Sequence, residues 1–186
     1  MRREPDSVDR FVFNFCPGCG LEGIRSENRR RWHCDSCGFE YFHNVATAAG
    51  LIIETGAGIL LFERAREPAK GRLGLPGGFV EPGESAEEAL VRECREEIGW
   101  APASMDFVAS FPNTYPWKDV PYRTCDLYFA CSALDFDISA LVLDSGEISA
   151  VVAADAIPWN KLAFPSLHRA LAAYLGKDFL RRGSRP

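Results

Sequence analysis

The sequence predicts an α/β domain preceded by a small cysteine-stapled module. Three observations carry that expectation. Two Cys-x2-Cys pairs lie near the N-terminus, several strand-like apolar segments follow, and a capped amphipathic helix sits among those segments.

Composition bounds the rest. The 186 residues, 47% of them apolar, suffice for one core with a small appendage. Eighteen consecutive apolar residues occur nowhere, and Met1–Pro5 leads into no apolar signal core, so a soluble, cytoplasmic protein with no membrane partner is expected. The net charge of −5 is unevenly placed. Residues 1–44 balance seven Arg against seven acidic residues, whereas 45–186 hold 14 basic against 19 acidic. That distribution argues against non-specific duplex binding.

Taken in order, residues 1–10 read as a charged, flexible N-terminus and 11–44 as a zinc ribbon. Cys16-x2-Cys19 and Cys34-x2-Cys37, 14 residues apart, approach the spacing of a four-cysteine zinc site. Pro17-Gly18 and Asp35-Ser36 suit tight knuckles whose N–H groups face thiolate sulfurs. Four thiolates leave no open position, so the Zn²⁺ is structural, worth on the order of 10 kcal/mol to a module too small for its own core. Two disulfides are the alternative, and nothing in the sequence suggests secretion. Glu22 to Arg31 reads as an exposed hairpin tip, where Arg29-Arg30-Arg31 is a solvated loop before it is a nucleic-acid contact. His43 is a spare ligand candidate, and Cys94, Cys125 and Cys131 read as buried thiols.

Residues 45–186 form the second domain. Val45–Glu54 is an apolar strand, a glycine-rich turn follows, and Ile59–Glu63 returns beside it. Arg64 to Gly74 is a polar loop whose Arg66, Lys70 and Arg72 can reach a phosphate. Asp106–Phe111 is a strand. Pro112 to Pro121, with three prolines, is expected as a stiff loop presenting Tyr115 and Trp117 for stacking on a base, with Phe111 at its head; filling a groove beneath the loop is the alternative. Tyr122–Cys131 alternates between an apolar face and a face bearing Thr124, Asp126 and Tyr128, which gives Asp126 two readings, cleft side or strand edge. Ile148–Ala153 is a further strand, and Ser166 is expected to cap a final amphipathic helix.

The central helix carries the chemistry. Ser85 and Glu88 form a capping box, Gly99 suits the left-handed stop, and Leu90, Val91, Cys94 and Ile98 make a face to bury. Glu93, Glu96 and Glu97 share a neighbouring arc on which only Ala86 and Ala89 also lie. Like charges at this spacing repel by a few tenths of a kcal/mol each, and a hard divalent cation with oxygen ligands relieves them. A solvated acidic face is the bland alternative.

From Gly78 the pattern is five residues, Glu84, seven residues, then Arg92-Glu93-Cys94-Arg95-Glu96-Glu97-Ile98-Gly99-Trp100. It resembles the Nudix box, Gx5Ex7REUxEExGU, at all seven fixed positions. The resemblance implies a Nudix fold, with a mixed β-sheet sandwiched between helices, often dimeric, that hydrolyses nucleoside diphosphate derivatives with Mg²⁺ or Mn²⁺. It assigns Glu93, Glu96 and Glu97 as metal ligands, with the Gly78 carbonyl often adding an oxygen, and pairs Glu84 with Arg92 as a brace. A downstream carboxylate acts as base or metal ligand, and Glu147 fits by position.

The four-cysteine ribbon and the joint Cys37–Asn44 also resemble the NADH pyrophosphatase branch. That branch carries SQPWPFPxS after the box, whereas Ser110–Trp117 here reads SFPNTYPW. The run Gly71–Ser85 and the PNTYPW segment are similar to ADP-ribose pyrophosphatases, so ADP-ribose is expected slightly ahead of NADH. NAD-capped RNA, nucleoside triphosphates and a nucleotide-sensing module are the competing readings, and an RNA cap is the one expected nucleic-acid partner.

Overall fold

The helix that bears the acidic arc forms where its caps place it. In the computed structural model, which describes residues 13–27, 30–118, 120–135 and 137–182 with side chains to residue 176, α1 spans Ala86–Ile98. Both halves of the capping box are made: Ser85 Oγ accepts from Glu88 N–H, and Glu88 Oε2 accepts from Ser85 N–H at 2.8 Å. Gly99 closes the helix in the left-handed conformation. The expected loose segment 1–10, Arg29 of the basic triplet and Asp119 of the expected loop lie outside the described residues.

The chain divides into two compact units, residues 1–45 with 116–122, and 46–115 with 123–186. In the first unit, β1 (Ile24–Glu27), β2 (Arg31–Cys34) and β3 (Glu40–Phe42) form an antiparallel sheet in chain order. The two knuckles repeat one design, Cys-x-x-Cys-Gly. In each, the glycine N–H donates to the carbonyl of the first cysteine, Gly20 to Cys16 at 2.8 Å and Gly38 to Cys34 at 2.9 Å. Both glycines sit near φ 75°, where a side chain would be strained. Trp32, buried, meets the edge of Phe13 with ring centroids 5.3 Å apart.

The second unit is built on β4 (Ala46–Thr55), β5 (Gly58–Arg64), β6 (Leu73–Gly74), β9 (Ile148–Ala154), β7 (Asp106–Trp117) as far as Tyr115 and β8 (Val120–Ser132) from Arg123. The sheet order is β6-β5-β4-β8-β7, with β9 paired to β5. β4 and β8 run parallel, Ala46 opposite Thr124 through Glu54 opposite Ser132, while β5 pairs antiparallel with β4, β6 and β9. The sheet is therefore mixed, as expected.

Alternation along β4 and β8 gives the sheet two buried faces. Leu51, Ile53, Phe129 and Cys131 pack with Leu90, Cys94 and Ile98 of α1. Ile52, Tyr128 and Ala130 pack with Leu167, Ala170 and Leu171 of α2 (Pro165–Arg182). Among the described residues, no helix is long and apolar enough to cross a membrane.

Three local expectations are corrected. PNTYPW is strand, not loop: β7 lies at the end of the sheet order, and an edge strand tolerates prolines because half its N–H groups have no ladder partner. Ala89, placed on the carboxylate arc from the sequence, is fully buried, and Val91 is only partly so. Ser166 does not cap α2. Pro165 opens that helix, where a missing N–H costs nothing, and Ser166 is buried inside its first turn. Thr124, Asp126 and Tyr128 are all buried, on the sheet face where Tyr128 packs with α2.

Candidate active site

The site begins where the chain crosses the end of β4 just before α1. Gly78 C=O accepts from Ala49 N–H at 2.8 Å and Val80 N–H donates to Thr47 C=O at 3.0 Å, so residues 76–80 lie along β4 as an extra strand-like edge. Gly77 sits at φ 135°, and a Cβ there would fall 2.1 Å from the Ala49 carbonyl oxygen. A Cβ on Gly78 would strike Glu93 Oε1 at 2.4 Å. Only glycines let this segment pass between β4 and the α1 carboxylates.

Arg92 braces the arrangement. Its guanidinium grips Glu84 through Nη2–Oε1 at 2.7 Å and Nε–Oε2 at 3.1 Å, the forked geometry that suits arginine and a carboxylate. The same group donates to the Phe79 carbonyl at 3.1 Å, to Glu93 Oε1 at 2.9 Å and to Glu96 Oε2 at 3.3 Å. The Arg92 contact, together with the Glu81 N–H, holds the Glu84 carboxyl below its usual range.

Glu97 lies largely buried beneath the glycine segment, with Oε2 accepting from Gly77 N–H at 2.9 Å. Burial, reinforced by the nearby Glu93 and Glu147 charges, pushes its pKa up to about 8 against the pull of that N–H. Burial likewise raises Glu93, opposed by Arg92. Glu96 instead points outward, its side chain 61% exposed.

A cavity of about 270 Å³ joins these groups to the α2 face of the sheet. Glu93, Glu97 and Glu147 line it with Arg64 and Arg66, and Arg66 pairs with Glu147. Its other reach has Ala48 and Gly50 as floor and Phe79, Tyr115 and Phe164 as walls. Tyr115 meets the edge of Phe79 with centroids 5.4 Å apart and lies 5.7 Å from Phe164. Arg64 stacks its guanidinium over Phe164 and anchors to the Pro68 carbonyl at 2.8 Å.

Of the residues singled out from the sequence, the cavity thus gathers Glu93, Glu97, Glu147, Gly78, Arg66, Tyr115 and Asp126. Glu84 and Arg92, the brace, and Lys70 lie outside its lining, and so do four others. Arg72 spends its guanidinium on the Leu162 carbonyl, at 3.0 and 3.3 Å. Phe111 packs into the α2 core with Arg169 over its ring. Trp117 belongs to the other compact unit, and Glu96 stays outside the lining. The sequence reading passed over Asn113, Phe79, Phe164 and Arg64. Asn113 and Tyr115 alternate along β7, a period-2 signal that the prolines of PNTYPW conceal.

In the first unit, the Sγ atoms of Cys16, Cys19, Cys34 and Cys37 all lie within 4.8 Å of one another. The Cys16–Cys37 and Cys19–Cys34 separations are 3.7 and 3.8 Å, far beyond the ~2.05 Å of a disulfide. A tetrahedron with metal–sulfur bonds of ~2.3 Å has edges of about 3.8 Å. The Cys37 and Ser36 amides hold Cys34 down at about 6 although burial opposes them, favouring the thiolate. The cluster is a ready-made metal site.

The family model for the NUDIX domain matches residues 44–175. An ADP-ribose pyrophosphatase of Methanocaldococcus jannaschii is 52% identical over 100 residues, covering 54% of this chain and 57% of that protein. An NAD-capped RNA hydrolase, NudC, of Pseudomonas aeruginosa is 33% identical over 104 residues, 55% of this chain and 36% of its own length. The chain thus spans between about a third and three-fifths of the curated relatives it matches. Among solved structures, a NUDIX hydrolase from Nitrosomonas europaea superposes with TM-score 0.65 and 26% identity over 94% of this chain and 95% of that one. The NUDIX domain of Shewanella oneidensis NrtR, solved with ADP ribose, superposes with TM-score 0.60 and 20% identity over 73% of this chain and 90% of that one, a likeness of fold.

Proposed function

This chain belongs to the Nudix family, and from that premise we propose that it hydrolyses the diphosphate bond of a nucleoside diphosphate derivative, ADP-ribose first, releasing AMP and ribose 5-phosphate. The observation that carries the proposal is one cavity in which Glu93, Glu97 and Glu147 share a space with an aromatic-walled recess. A densely anionic diphosphate needs cations at one end of such a site, and a nucleoside needs ring contacts at the other.

The donor set fits Mg²⁺ or Mn²⁺, because carboxylate and carbonyl oxygens suit hard divalent ions. Glu93, Glu97 and Glu96, turned inward, would hold the ion with the Gly78 carbonyl. That oxygen's second lone pair remains beyond its bond from Ala49. Burial, with smaller contributions from neighbouring carboxylates, raises Glu93 and Glu97, and a bound cation would favour the ionised form of both. Such ions neutralise developing phosphate charge and acidify bound water.

The chain's own groups supply the rest. Arg92 and Glu84 fix the pitch of the glycine segment over α1. Arg64 and Arg66 offer positive charge to the phosphates. Glu147, once Arg66 turns to a phosphate, is free to accept the proton of the attacking water. Phe79, Tyr115 and Phe164 hold the base by stacking. The four cysteines take Zn²⁺, which stabilises the ribbon and takes no part in turnover.

NADH, or NAD at the end of a capped RNA, is the second reading, favoured by the NudC match. Both substrates place the same linkage in the same cavity. A homodimer and cytoplasmic residence complete the proposal. A hydrolysis panel of ADP-ribose, NADH, NAD⁺, NAD-capped RNA and nucleoside triphosphates with each metal tests it. Turnover of triphosphates alone would overturn it.

A further inference from the structure

At the base of the aromatic recess lies a buried polar cluster that phosphate chemistry does not need. Asp126, 8% exposed, is opposite Ala48 in the β4–β8 register and lines the cavity. Its Oδ1 accepts from Thr124 Oγ1 at 2.6 Å. Its Oδ2 accepts from Asn113 Nδ2 at 2.8 Å and from Ser166 Oγ at 2.7 Å. Tyr128 Oη donates to Ser166 at 2.9 Å, completing a chain from the β8 face to α2. Two strands, β7 and β8, and the first turn of α2 therefore converge to hold one carboxylate still.

A carboxylate has about four acceptor positions. Three are filled, two on Oδ2 and one on Oδ1, so a single acceptor remains, on Oδ1. Among the described residues no Lys, Arg or His forms an ion pair with Asp126. A phosphate is repelled from this place, which sends the diphosphate toward Arg64, Arg66 and the α1 carboxylates. Phe79, Tyr115 and Phe164 offer the recess aromatic surface on which a planar ring can pack. Such a ring must also pass over a floor kept shallow by Ala48 and Gly50, where a Cβ on Gly50 would meet the Tyr128 ring at 3.1 Å.

We propose that Asp126, positioned by Thr124, Asn113 and Ser166, is the base-selecting residue of the site: its remaining acceptor takes one N–H of the exocyclic 6-amino group of an adenine. A 6-oxo purine in the same seat sets a carbonyl oxygen against the carboxylate and leaves both without a donor. Sites built around a buried hydrogen bond reject such analogues far more strongly than apolar sites do. The inference rests on the reading that the cavity takes an adenine nucleotide, and it names which atom of that nucleotide is read.

The test separates the two. Binding of AMP and IMP to the full chain, measured by calorimetry with Mg²⁺, requires no turnover and no variant. AMP is expected to bind about ten- to a hundredfold more tightly than IMP. In Asp126→Asn the preference should fall to parity or invert, because the amide can donate to the 6-oxo group. Circular dichroism reports whether that variant folds, and if it does not, the wild-type comparison decides alone. Equal binding of AMP and IMP, no binding of AMP, or a preference unchanged in folded Asp126→Asn would overturn the inference. Hydrolysis of ADP-ribose and its hypoxanthine analogue at equal kcat/KM would sink it while leaving the proposed activity standing. Absence of any diphosphate hydrolysis, with AMP still preferred over IMP, would do the reverse.

Discussion

Replacing Glu97 with Gln should make the metal-free protein more stable and the enzyme inactive. The carboxyl lies beneath Gly77 and its pKa rises from 4.5 to about 8, chiefly through burial. A raised folded pKa means that the neutral side chain's contribution to stability is fully present below about pH 4.5 and is lost as the pH climbs to about 8. At pH 7 the unfolded chain has released the proton and the folded one retains it, a difference of about 3 kcal/mol against folding. Gln carries no such proton and still offers an oxygen to Gly77 N–H. Without added divalent ions, Glu97→Gln should therefore melt roughly 6–12 °C above wild type at pH 7, with the gap closing toward pH 4.5. Mg²⁺ or Mn²⁺ should raise the melting temperature of wild type and leave the variant nearly unmoved. Turnover should fall by about 10³ or more, the scale on which a preorganised charge contact acts in a transition state. Thermal denaturation across pH 4.5–8, paired with initial rates, measures both. A variant no more stable than wild type at pH 7, or one retaining half its activity, would refute the reasoning.

Glu147→Gln should lower kcat by about 10²–10⁴ with KM little changed, as for a lost general base, and steady-state kinetics would reveal a KM effect instead if the residue only shaped the cavity. Tyr115→Ala should raise KM for ADP-ribose roughly ten- to a hundredfold through lost stacking, whereas Trp117→Ala should leave it within a factor of about two. Elemental analysis should find about one zinc per chain, absent in Cys16→Ser; a folded wild-type ribbon without zinc would contradict the four-thiolate assignment. Arg72→Ala should cost stability, since it anchors the Leu162 carbonyl, and leave phosphate affinity alone, as melting and KM would report.

The parts of this molecule legible in the sequence are those whose physics is local. Ser85, Glu88 and Gly99 determine where α1 starts and stops through their own backbone bonds. The Cys-x-x-Cys-Gly repeats likewise mark two knuckles by adjacency alone. Register and sidedness were harder, because they are decided by partners far along the chain. The prolines of PNTYPW look like a loop until β7 is known to be an edge. Asp126 keeps both its cleft-side and its strand-edge reading until α2 packs over that face of the sheet. Ser166 reads as a cap until a buried carboxylate 40 positions earlier claims its hydroxyl. Arg66 and Arg72 are indistinguishable in sequence, and only the Leu162 carbonyl separates them.

In the proposed reaction, water attacks phosphorus in a diphosphate held between the α1 carboxylates and the aromatic recess. Hydrolysis of ADP-ribose in ¹⁸O-labelled water with Mg²⁺, followed by mass analysis of the products, tests it most directly. The expected products are AMP and ribose 5-phosphate, with one labelled oxygen on the phosphate of one of them. Release of free adenine, label on a sugar carbon, or no divalent-dependent AMP at all would contradict it.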